Sequence, residues 1–130
     1  MYLSINGTSF DVLGIIKVGR SFRVEEDSNA GTAISGKRIR SIVGTYLAHD
    51  FEVYRSPSNV QAFDDFWDFL KTHSVDDHVR LEAADGQETV SYDAYYTAAR
   101  QDLDWRNNDT NLWGKINITF ESIAPEVTPQ

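Results

Sequence analysis

Cysteine is absent from this 130-residue chain, which rules out a disulfide framework and a thiolate metal site. Proline is scarce. Two of the three, Pro125 and Pro129, fall near the end and mark 125–130 as a short C-terminal tail on a single domain over 1–124. Long apolar runs are missing too. No stretch approaches the roughly 20 residues needed to span a bilayer. The opening Met1-Tyr2-Leu3-Ser4-Ile5 lacks the basic and apolar regions of a secretory signal. Basic side chains are outnumbered, 12 Lys and Arg against 20 Asp and Glu, for a net charge of −8. That balance disfavours phosphate backbones, so neither specific nucleic-acid binding nor a membrane partner is expected.

What is present suits one aromatic-rich core: 41% apolar residues, with three Trp, six Tyr and seven Phe. The charge is unevenly spread. Residues 1–55 carry seven Lys/Arg against six Asp/Glu, and residues 56–130 carry five against fourteen. In a homo-oligomer such asymmetry permits head-to-tail docking, with electrostatics contributing register more than affinity.

Most of the chain alternates with period two. Leu3 and Ile5, the turn Asn6-Gly7, then Thr8, Phe10 and Val12 read as a hairpin, because both turn residues tolerate positive φ. Gly14 marks a break. Ile16, Val18, Arg20, Phe22 and Val24 then alternate as a strand with one buried face. Gly44 to Arg55 reads as a long strand with Leu47, Phe51 and Val53 on one parity, and His49 shares that parity as a hydrogen-bonded, semi-buried residue. One helix is expected over Val60–Lys71, where Val60, Phe63, Phe66, Trp67 and Leu70 form a stripe, Phe69 falls off it, and Ser58 with Gln61 fits a capping box. Strands resume at Val79, turn at Asp85-Gly86, and return through Glu88–Tyr92. Tyr92 to Leu103 fits a strand or a helix, and the hairpin return favours the strand. Arg106–Asn111 is polar and turn-like, and Trp113–Phe120 closes the domain with Ile116, Ile118 and Phe120 inward. The fold class that follows is mainly β: an antiparallel β-sandwich or flattened β-barrel with one α-helix.

Between the two long strands lies a 19-residue bridge, Glu25–Val43, acidic in front, basic behind and small in the middle. A loop that long is uncommon in a compact domain unless it is disordered or functional. Lys37, Arg38 and Arg40 are its candidate assembly residues, placed to meet carboxylates of a neighbouring copy, and mobility in the free monomer is expected.

Catalytic and cofactor motifs fail in detail. Gly31 to Lys37 approaches a P-loop, but Arg38 stands where a hydroxyl would hold Mg²⁺. His73, Asp76, Asp77 and His78 offer metal-ligand chemistry in a loop where solvated acids are commoner. The carboxylate pairs Asp64/Asp65, Glu25/Glu26 and Asp102/Asp104 are adjacent in sequence, which does not supply the separation across a cleft that glycoside hydrolysis needs. No enzyme activity, cofactor or metal is therefore expected. The rival reading is a β-sandwich carbohydrate-binding module, with Trp105, Trp113 and Tyr95 as sugar-binding aromatics.

The order of features also resembles the small structural proteins of long-tailed bacteriophages and prophages. The matching pieces are Ile5-Asn6-Gly7, Glu26-Asp27-Ser28-Asn29-Ala30-Gly31 and Gly36-Lys37-Arg38-Ile39-Arg40-Ser41-Ile42-Val43-Gly44-Thr45-Tyr46. The aromatic helix Phe63–Leu70, His78-Val79-Arg80-Leu81 and Trp113-Gly114-Lys115-Ile116-Asn117-Ile118-Thr119-Phe120 follow. The resemblance implies a tail, baseplate or connector protein of the tail-tube or distal-tail kind. Its partners would be copies of itself in a ring and other phage tail proteins, its place the virion, and no catalytic residue carries over.

Overall fold

The computed structural model describes residues 3–129, apart from the side chain of Ile16. The inward placement expected of Ile16 and the reading of Met1-Tyr2 lie outside the described residues. Along the chain run β1 (Leu3–Ile5), β2 (Thr8–Ser9), β3 (Gly14–Glu26), β4 (Gly31–Thr32), β5 (Arg38–Ile39) and β6 (Ile42–Tyr54). After α1 (Val60–His73) come β7 (Val79–Asp85), β8 (Glu88–Tyr95), β9 (Ala99–Arg100), β10 (Leu103–Asn107), β11 (Thr110–Trp113) and β12 (Ile116–Ser122). The main sheet has the order β2-β1-β7-β8-β12-β6-β3, with β9 also paired to β12. Its pairings are antiparallel, and it curls into a half-barrel. The mainly β, antiparallel, one-helix fold read from the sequence is the fold observed.

Local chemistry explains the turns. Asn6 and Gly7 both take positive φ, 53° and 84°, so the first hairpin closes on two residues as its Asn-Gly pair demands. The returning strand is shorter than its alternation promised. It ends at Ser9; Phe10 still donates its N–H to Leu3 O at 3.0 Å, while its ring packs on the helix, 4.6 Å from that of Phe66. The expected break at Gly14 is displaced: Gly14 opens β3 opposite Tyr54, and the register shift falls between Ile15 and Lys17.

Period two then builds the core. Val53, Phe51 and His49 of β6 lie opposite Ile116, Ile118 and Phe120 of β12, all of them buried. Leu81, Ala83, Tyr92 and Ala94 extend the same concave face across β7 and β8. Helix α1 lays Phe63, Phe66 and Leu70 onto it. Each fully buried aromatic or aliphatic side chain contributes about 1.5–3 kcal/mol. Phe69, off the main stripe, is still half-buried because Phe10 folds over it at 5.1 Å. The helix cap differs from the expected Ser58–Gln61 box. Asn59 is the N-cap, its Oδ1 accepting from Ala62 N at 3.1 Å, while Gln61 instead donates to Asp65. Ser58 is drawn into contact with Ser56 at 3.0 Å.

His49 sits where the curl of the sheet brings β6 against β7 and β8. It is 2% exposed, with Nδ1 2.8 Å from the Tyr92 hydroxyl and Nε2 3.2 Å from the Ala84 carbonyl. In the neutral ring Nε2 donates to Ala84 and Nδ1 accepts from Tyr92, so both polar atoms are satisfied. Burial lowers the His49 pKa. Above it, Arg20 of β3 pairs with Asp85 at the end of β7 at 2.6 Å and ties the two sides of the curl together.

Two outcomes follow. Asn59→Ala lowers unfolding free energy by about 1 kcal/mol, whereas Ser58→Ala changes it by less than about 0.5 kcal/mol; urea titrations of the two variants check this. The His49 contribution to stability is complete above the unfolded-state pKa. It is lost as pH falls through that value toward the lower folded pKa, because the unfolded chain then binds the extra proton. The wild-type thermal midpoint therefore falls as pH drops through about 6.5, the ordinary histidine value, and His49→Gln flattens that dependence. An unchanged pH profile in the variant overturns the assignment.

Candidate assembly surface

The segment read as an inserted loop over 25–43 is a ribbon. β3 and β6 pair from Gly14↔Tyr54 to Glu26↔Ile42, and Asp27 N continues the ladder onto Ser41 O at 2.9 Å. After an Asx turn, in which Asp27 Oδ1 accepts from Asn29 N at 2.8 Å, β4 and β5 resume the pairing at Gly31↔Ile39 and Thr32↔Arg38. Gly36 closes the tip at φ 86°, a conformation that side chains resist. The correction has a local cause: polar and small residues build a narrow two-stranded ladder without needing a core.

The candidate residues divide at this ribbon. Arg38 and Arg40 both bond to the carboxylate of Glu26, the second at 2.7 Å, and thereby staple the distal hairpin to its stem. Hydrogen bonds from Arg40 and then Arg38 pull the Glu26 pKa below the ordinary carboxylate value. Two arginines on this one carboxylate leave a local positive surplus on the distal side, although Asp27 at the stem brings residues 25–43 as a whole to three acids against three bases. Lys37 adds to it, since no ion pair engages Lys37 among the described residues.

The outer edge of β3 is open, because β6 is its neighbour on the sheet path and β3 ends that path. Leu47 N bonds to Ser122 Oγ and Thr45 N to Val127 O, both on the side of β6 away from β3. Their partners Phe22 and Val24 are therefore non-hydrogen-bonded pairs, so their own N–H and C=O groups point to the free edge. The bridge from Val127 to Thr45 also shows that the segment after Pro125 runs back along β6.

Exposed apolar residues concentrate where the chain leaves the core. Of the thirteen large hydrophobics exposed among the described residues, Phe22, Val24, Ile34, Ile39, Ile42 and Val43 are on this ribbon. Leu103, Trp105 and Trp113 are on a second, β10–β11. Phe22 is 70% exposed and Ile34 fully so. Sequence reasoning missed Phe22 and Val24, because it took their alternation as a sign of burial. The second ribbon occupies the stretch read as a polar turn, with Asn108 at φ 53° in its bend.

The aromatics offered as sugar-binding residues are placed separately. Trp113 lines a groove with Trp67, while Tyr95 lies in the main sheet and donates to Glu121 at 2.7 Å. Trp105 stands opposite Leu112 on β10–β11. The His and Asp cluster after the helix resolves into two pairs, His73–Asp76 at 2.7 Å and His78–Asp77 at 3.0 Å. No helix among the described residues is long and apolar enough to cross a membrane.

No family model matches the chain, and no curated protein matches it. A solved structure described as the tail of an empty GTA particle, obtained by helical refinement with C6 symmetry, is similar. Its TM-score is 0.56 at 10% identity, over 91% of this chain and 84% of that one. At that identity the likeness is one of fold.

If Glu26 staples the distal hairpin, Glu26→Gln loosens it without touching the core. Amide exchange over 31–39 speeds up by roughly tenfold or more while the thermal midpoint stays near wild type, as local opening costs less than global unfolding. Unchanged exchange there would show that backbone pairing alone holds the hairpin.

Proposed function

We propose that this protein is a non-enzymatic structural component of a phage-like tail that assembles with copies of itself into a ring. The observation that carries the reading is the fold it shares with the GTA tail structure along almost its whole length. A symmetric tail repeats one subunit, and this chain has surfaces suited to repetition. β3 presents a long unpaired edge, which strand addition can extend. The exposed apolar side chains are gathered on ribbons, where burial against another subunit would stabilise the assembly. The His and Asp side chains weighed as metal ligands after the helix are hydrogen-bonded in two separate pairs, His73–Asp76 and His78–Asp77. Other tail proteins are the natural further partners, and the virion is the site of action under this reading.

The test is assembly itself. The purified chain should form rings visible by negative-stain electron microscopy, and labelled protein should locate to the tail of purified particles. Phe22→Pro probes the mode. Its N–H lies on the open edge, so proline removes no internal ladder bond. The variant should keep the wild-type circular dichroism spectrum and yet fail to form rings. Particles that carry no label sink the tail reading, and rings formed normally by Phe22→Pro sink edge pairing.

A further inference from the structure

Helix α1 carries a second stripe beside the one that enters the core. Val60, Asp64, Trp67 and Asp68 face the bend of β10–β11 across a groove of about 750 Å³, with Asp109 and Trp113 on the far wall. Spacings of three and four place the helix residues on one face. Asp64 and Asp68, four apart, repel each other modestly and so gain from an outside cation. Neither they nor Asp109 has an ion pair among the described residues. Lys71 is the one cation on the wall, at the helix end. The groove thus combines two indoles with three carboxylates that make no ion pair among the described residues, against the single cation Lys71.

The tip of the first ribbon has the opposite character. It is narrow, it presents Ile34 fully exposed, and it carries the unpaired Lys37 beside two arginines that share one carboxylate. We infer that the groove between α1 and β10–β11 receives the ribbon tip of a second copy of this chain. Ile34 packs against Trp67 and Trp113, and Lys37 with the arginine surplus faces Asp64, Asp68 and Asp109. The inference rests on the self-assembly reading above and names its receptor. Tip and groove are different surfaces of one chain, so the contact is heterologous and propagates head to tail, closing as a ring or continuing as a stack. Desolvating the indoles supplies affinity, and the charges fix orientation and exclude inverted docking.

Charge exchange tests this without disturbing the Glu26 staple. Ser35→Glu/Lys37→Glu reverses the tip, and Asp64→Lys/Asp68→Lys reverses the groove; circular dichroism and thermal unfolding confirm that both fold. Each variant alone should associate at least roughly tenfold more weakly than wild type in sedimentation velocity, because like charges then meet. An equimolar mixture should recover association, since each mismatched tip finds a matched groove on the other variant and the two alternate. Wild-type association by both single variants, or failure of the mixture to recover, overturns the groove as receptor while leaving self-assembly standing. Loss in the groove variant alone means that another segment fills the groove, and this also overturns the inference. A wild-type chain that stays monomeric throughout sinks the assembly reading and this inference together.

Discussion

The length of β6 is the constraint on which the rest of the molecule depends. It runs for thirteen residues, and β12 matches six of them, from Val53 to Ala48. Over that lower part β6 is a central strand, with buried Phe51 and Val53 and a neighbour on either side. Beyond it the backbone still needs hydrogen-bond partners, because unpaired buried or half-buried peptide groups are costly. On one side β3 continues the ladder to Glu26. On the other, Ser122 Oγ and the returning Val127 satisfy Leu47 and Thr45. The ribbon is the consequence: two strands that outrun their sheet and carry their pairing into solvent.

That geometry separates two tasks within one chain. The lower half stabilises itself by burial, with α1 over the concave face and His49 at the seam. The upper half and the β10–β11 ribbon are held by backbone pairing and local charge, and they keep apolar side chains outside. A chain that used those residues for its own core would have nothing to offer a neighbour. Phe22, Ile34 and Trp113 thus leave apolar surface outside the fold, which the proposed self-assembly would cover.

The charge distribution matches this division. The near-neutral first part of the sequence includes the ribbon, and the acidic remainder includes α1 and the second ribbon. Inside the chain, Glu26 takes up both nearby arginines and Asp85 takes up Arg20. Lys37, Asp64, Asp68 and Asp109 make no ion pair among the described residues. Exposed pairs contribute little to monomer stability, so under the proposed self-assembly the charges left over after folding would bear mainly on the orientation in which copies dock.

The strand content, the helix and the absence of thiol chemistry are legible in the residues themselves. Period-two alternation, the 63–66–70 stripe and an Asn-Gly turn are local signals that survive without tertiary help. The sequence also marked 25–43 as a segment apart from the core through its length and split charge. It did not show that the region is a ribbon, because a two-stranded ladder of small and polar residues has no hydrophobic period to read. Asn59 takes the cap, its side chain accepting from Ala62 N, while Ser58 is engaged with Ser56. Phe22 has the alternation of a core strand, yet it is 70% exposed on the edge strand β3, opposite a Leu47 that is itself only half-buried. Only the tertiary structure could decide this, since burial is a property of what lies opposite and alternation records only which side a residue faces. For the same reason the acidic groove was invisible: Asp64, Asp68 and Asp109 lie on two elements that the fold brings together.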